Sequence, residues 1–96
     1  VANEQHLGIV RQYGGHGVGY EMHEEPFLFN YRTGDKTIIK KNCAIAIEPM
    51  LNLGCDEVSV LDDEWTVVTD DFKPSAHFEH TVIATEDGPL ITTQLL

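Results

Sequence analysis

Polar and apolar side chains alternate most regularly from His77 to Thr85, where Glu79, Thr81 and Ile83 share one face and His80, Val82 and Ala84 the other. That period of two predicts a half-buried strand. Cys43-Ala44-Ile45-Ala46-Ile47 is the longest unbroken apolar run and reads as a buried strand, closed by Pro49, which lacks a ladder donor. Val58–Leu61 and Trp65–Thr69 bracket Asp62-Asp63-Glu64, the pattern of a hairpin with an acidic turn. Asp87-Gly88 turns the chain into a last strand over Leu90–Thr93. Towards the amino terminus, Val1–His6 reads as the end of a helix and Ile9–Tyr13 as a short strand. Gly14-Gly15-His16-Gly17-Val18-Gly19 reads as a turn in which backbone bends tightly or approaches something closely. Residues 24–42 read as loop, with an extended piece over Lys36–Lys41. The sum is an α+β chain, mainly antiparallel sheet with little helix, and such a sheet needs a layer packed on its apolar face.

Ninety-six residues suffice for one core, and the chain reads as a single domain segment, 1–96. Sixteen acidic against six basic residues give a formal charge of −10, which argues against a phosphate-gripping nucleic-acid surface or an anionic-lipid anchor. No run approaches the roughly 18 apolar residues of a membrane helix. Val1–His6 lack the basic start and apolar centre of a signal peptide. Two cysteines make no disulfide framework, so a reducing, cytoplasmic setting is expected. The first residue is not Met, which suggests a processed, cut or partial polypeptide.

Chemistry is sought where polar residues are unwelcome. Glu48 ends the most apolar strand and Glu79 lies inside the alternating one. A buried carboxylate needs a partner, and Lys36, Lys40, Lys41 and Lys73 all fall in loop-like stretches. A single such glutamate is ordinarily a solvated edge residue, as a lone loop histidine is ordinarily a surface one. Taken together, His16 in the glycine bend, Glu48, Glu79 and nearby His23 form an N/O set suited to Mn, Fe, Co or Zn. Competing signatures are poor. Gly15-x-Gly17-x-Gly19 has Met22 where a dinucleotide loop needs glycine, and Ser75, His77 and Asp70 make a serine triad on paper only.

In order, Gly15-His16-Gly17-Val18-Gly19, His23-Glu24-Glu25-Pro26, Ile47-Glu48-Pro49-Met50 and Phe78-Glu79-His80-Thr81 resemble the motifs of type I methionine aminopeptidases over residues 7–93. The resemblance implies the carboxyl-terminal half of a pita-bread fold around two divalent metal ions. His16, Glu48 and Glu79 would be three of five metal ligands, with two aspartates supplied by the amino-terminal half as partner. His23 would contact the scissile peptide and Glu48 would assist proton transfer. Trp65 and Met22 would line the pocket for the substrate's methionine side chain, and backbone at Ser75 would hold a monovalent cation. The substrate would be the amino terminus of a peptide or nascent protein. Tyr20 and Met22 replace commoner Arg and Phe, and His77 stands where the family usually has a ligand-orienting glutamine. The other class of function open to such a chain is an inactive binding module that keeps the fold.

Overall fold

The computed structural model describes residues 1–95. Its organising element is one long antiparallel ribbon, folded at its middle. Strand β4 (Ala44–Ile47) pairs with β9 (His80–Thr85), and β5 (Met50–Asn52) pairs with β8 (Ser75–His77). Ala44 faces Ile83, Ile47 faces His80, Met50 faces His77 and Asn52 faces Ser75, so paired residue numbers always sum to 127. The two ladders are therefore one register, interrupted only at Glu48-Pro49 and Phe78-Glu79. Pro49 has no N–H to give the ladder, although its carbonyl still accepts from Phe78 N at 3.4 Å. Beyond the break the arms enter different sheets.

One arm lies in a five-stranded antiparallel sheet that includes β2 (Gly15–Val18), β3 (Glu24–Leu28) and β10 (Gly88–Ile91), ordered β10-β9-β4-β2-β3. The other lies in a three-stranded sheet, β1-β5-β8, whose edge is β1 (Gly8–Ile9). A separate hairpin joins β6 (Val58–Val60) to β7 (Val67–Thr69). Its turn is fixed by Asp63, whose carboxylate accepts from Trp65 N at 3.0 Å and Thr66 N at 2.8 Å. The apolar core is small: Ala2, Val10, Ile45, Ala46 and Val82. No described helix is long and apolar enough to cross a membrane.

Six expectations need correcting. Val1–His6 forms turns, not a helix end, closed by Leu7 N on Ala2 O at 2.9 Å. Six residues barely exceed a helical nucleus, and His6 adopts a φ of 55°, which stops propagation. The glycine segment is not a turn but strand β2. A Cβ on Gly15 would lie 2.2 Å from Ala46 O, and one on Gly17 would lie 2.1 Å from Glu25 O. The glycines thus let β2 press against both neighbours, overriding their weak strand propensity. Within the expected loop, Glu24–Leu28 is strand β3, while Lys36–Lys41 forms no strand. The single strand expected from His77 divides at Phe78-Glu79, and only Gly8–Ile9 of the first expected strand region pairs.

Asp71 fastens the loop after β5. Its Oδ2 accepts from Cys55 N at 2.8 Å and its Oδ1 from Lys73 N at 3.1 Å. These backbone donors, Cys55 first, hold the Asp71 carboxyl below the ordinary aspartate range. A lowered folded-state pKa gives stability present above that range and lost as pH falls through the lowered value. Asp71→Asn is expected to lower the melting temperature at neutral pH, with the difference from the parent shrinking as the buffer is taken below pH ~4. Gly17→Ala is expected to cost about 1–3 kcal/mol in denaturant unfolding, because the methyl meets backbone rather than a movable side chain.

Candidate metal centre

The break in the ribbon builds the site. Glu48 and Glu79 lie one step beyond the last registered pair of the larger sheet, Ile47 and His80. Strand β2 adds the third group, since His16 faces Ala46 across the β2–β4 ladder. Cross-strand partners share a face and so do residues two apart, so His16, Ala46 and Glu48 lie along one side. Ala46 is small and buried, and it leaves the space above it to the longer neighbours. His16 Nε2 comes within 3.0 Å of Glu48 Oε1. Ligand atoms of His16, Glu48 and Glu79 all lie within 4.8 Å of one another.

The imidazole's other nitrogen decides the chemistry. His16 Nδ1 lies 2.8 Å from Gly17 O, an atom that only accepts, so Nδ1 carries the proton. In the neutral ring, Nε2 is then a lone pair facing a carboxylate oxygen. Two electron-rich atoms at that distance require a positive charge, and a second carboxylate nearby exceeds what one proton satisfies. Neither Lys nor Arg makes an ion pair with Glu48 or Glu79 among the described residues. Donors around one Zn- or Mn-sized ion stand about 3.0–4.2 Å apart, close to the separation found here. The residues present fit a divalent cation.

Further side chains surround the cluster. The rings of His16 and His23 lie 4.3 Å apart between centroids, tilted by 48°. His23, Met22, Val18 and Thr81 join the three donors in a cavity of about 260 Å³. A second cavity, of about 480 Å³, shares His16, His23 and Glu48 and extends over Tyr13, Phe27 and Met50. His77 Nε2 approaches Glu48 Oε2 at 3.3 Å. Trp65 is exposed near the hairpin turn and lines neither cavity. Ser75 is exposed, and its hydroxyl donates to Leu51 O at 3.3 Å. No triad forms from Ser75, His77 and Asp70, because Ser75 turns to Leu51, His77 to Glu48 and Asp70 to Ser59. The approach of His77 to Glu48 had no signal in the pattern, since it depends on the fold in the ribbon.

Residues 1–86 match metallopeptidase family M24. The chain belongs to that family. It is 52% identical over 88 residues to methionine aminopeptidase 1 of Mycobacterium tuberculosis (strain CDC 1551 / Oshkosh), covering 91% of this chain and 33% of the relative. It is 48% identical over 96 residues to methionine aminopeptidase 1 of Bacillus subtilis (strain 168), covering 99% and 38%. The crystal structure of methionine aminopeptidase from Thermotoga maritima superposes with a TM-score of 0.92 at 43% identity, covering 98% of this chain and 38% of that one. This M24 chain therefore shares the fold of the matched portion of its pita-bread neighbours, and it spans about a third of the length of the curated relatives it matches.

Because a ligand that binds only the folded state stabilises it by mass action, Mn(II) or Co(II) at 100 times its Kd is expected to add about 2.7 kcal/mol to the stability of the M24 protein. Thermal unfolding with and without metal measures this. Glu79→Ala is expected to remove most of the increment.

Proposed function

We propose that residues 1–96 are the carboxyl-terminal half of a methionine aminopeptidase catalytic domain, and that His16, Glu48 and Glu79 are its contribution to a centre of two divalent ions. The observation that carries this reading is the approach of His16 Nε2 to within 3.0 Å of Glu48 Oε1, with Glu79 in the same group. Co, Mn, Fe and Zn all suit the N/O donors. When bound, such ions supply Lewis acidity and lower the pKa of a coordinated water. The remaining ligands, two aspartates, belong to the amino-terminal half, the partner without which the centre is incomplete.

The substrate is the amino terminus of a peptide or nascent protein beginning with Met. Two glutamates and no paired Lys or Arg make the site attractive to an α-ammonium group. His23, whose ring lies beside that of His16, would donate toward oxygen of the scissile carbonyl as negative charge develops there. Glu48 takes and returns the proton, using a carboxylate already turned into the cavity. Met22, on the wall of that cavity, and Trp65, on the separate β6–β7 hairpin, would contact the methionine side chain. Backbone at Ser75 holds a monovalent cation. Two free cysteines, Cys43 and Cys55, accord with a cytoplasmic setting.

Release of methionine from a Met-Ala peptide by the complete protein tests this. Activity is expected with added metal and to fall by about 10³-fold or more in Glu79→Ala, on the scale of removing a catalytic group. Unchanged hydrolysis in that variant would end the proposal. The 96-residue chain alone is expected to be inactive until the amino-terminal half is supplied.

A further inference from the structure

We infer that Thr93 is a positioning residue for Glu79: its hydroxyl anchors the backbone that follows this glutamate and so sets where the carboxylate stands in the metal centre. The inference rests on the metal-centre reading above. Strand β10 faces β9 in a register that runs from Gly88 opposite Thr85 to Ile91 opposite Val82. The next two positions in that register are Thr92 opposite Thr81 and Thr93 opposite His80, and both contacts are made although β10 ends at Ile91. Thr81 O accepts from Thr92 N at 2.9 Å and from the Thr92 hydroxyl at 3.0 Å. The return bond runs from Thr81 N to Thr93 Oγ1 at 3.0 Å, so a side-chain oxygen stands in for a backbone carbonyl. The same oxygen lies 2.8 Å from His80 Nδ1. A hydroxyl can accept from the amide and still meet either tautomer of the imidazole, so one atom of Thr93 holds two successive residues of β9.

Glu79 comes immediately before those two residues, and little else holds it. On its other side Phe78 N reaches Pro49 O at 3.4 Å, the outer end of hydrogen-bonding distance. Among the described residues no ion pair ties down its carboxylate, whereas two imidazoles approach that of Glu48. The Glu79 side chain is exposed, so its direction follows from the backbone that carries it. That backbone is first secured at His80, by Ile47 of β4 on one side and by Thr93 on the other. Glu79 and Thr81 line the same cavity of about 260 Å³, while His80 between them turns to Thr93. Releasing the amide of Thr81 and the ring of His80 therefore loosens the point from which Glu79 enters the site.

The test is Co(II) titration of the complete protein, read by calorimetry and by the visible absorption of the bound ion, together with amide hydrogen exchange of the metal-free form. Thr93→Val keeps the side chain's shape and removes the hydroxyl. It is expected to speed exchange at the Thr81 amide, to weaken Co(II) binding by about 10-fold, the low end of the effect of losing a ligand's outer support, and to shift the absorption. Thr93→Ser keeps the hydroxyl and is expected to restore all three. Faster exchange in Thr93→Val with parental affinity and spectrum would overturn the inference, because the threonine would then be a sheet-edge contact and nothing more. Failure of Thr93→Ser to restore affinity would also overturn it, since the hydroxyl would not be the group that matters. A parallel Glu79→Ala titration separates the two ideas. Loss of binding there with no effect of Thr93→Val sinks only the positioning role, while parental binding by Glu79→Ala sinks the metal centre itself.

Discussion

Everything in the candidate site depends on backbone packed against backbone at β2. Two glycines let this strand lie so close to Ala46 and Glu25 that no larger residue fits without displacing main chain. That closeness carries His16 across to Glu48, with its Nδ1 proton already committed to the strand's own carbonyl. The same local structure thus sets both position and tautomer, and neither needs a further side chain to enforce it.

The second constraint is the interrupted ribbon. One register runs from Ala44 to Asn52 against Ile83 to Ser75, and Pro49 breaks it where the ladder would otherwise consume the backbone beside Glu48 and Glu79. Continuous pairing would keep both glutamates in a regular pleat, one per strand, with their orientation set by alternation alone. The shared register sets Glu48 opposite Glu79 on one face, and the open ladder leaves the backbone beside them unpaired. A carboxylate pair held without Lys or Arg repels itself, so the arrangement is costly in the absence of a cation. The local fold is therefore poised for binding in the sense that its least favourable electrostatic feature is the one a divalent ion relieves.

Much of this was legible beforehand, and the gaps have physical causes. The Cys43–Ile47 strand, its closure by Pro49, the acidic hairpin and the grouping of His16, Glu48 and Glu79 all follow from local pattern, and the structure brings them together. Strand β2 did not, because glycine's preference in an isolated chain says turn, while the deciding term is contact with strands nearly ten and thirty residues away. Strand β3 was hidden by Pro26 and its acidic neighbours, which mark loops except at a sheet edge, where β3 lies. The division of β8 from β9 and the reach of His77 to Glu48 were invisible because both arise from a break in pairing, and alternation carries no record of where a ladder opens.

The same openness that frees the glutamates leaves the chain thinly packed. Among the described residues only five apolar ones are buried, while Tyr20, Met22, Trp65, Phe72 and Phe78 are each more than three-quarters exposed. The radius of gyration is 14.8 Å, against about 12.5 Å for a compact domain of this length. Aromatic side chains Phe27, Phe29 and Tyr31 meet edge to face in a row, with Arg11 over the last ring, and the first two remain about half exposed. A sheet with one bare face is stable only when another layer covers it. The chain spans about a third of the length of its curated relatives, and their additional length is material for such a layer. Packing and chemistry thus point the same way: exposed apolar side chains call for a covering layer and the three-donor group calls for a cation, so covering the sheet and filling the site are expected to be coupled.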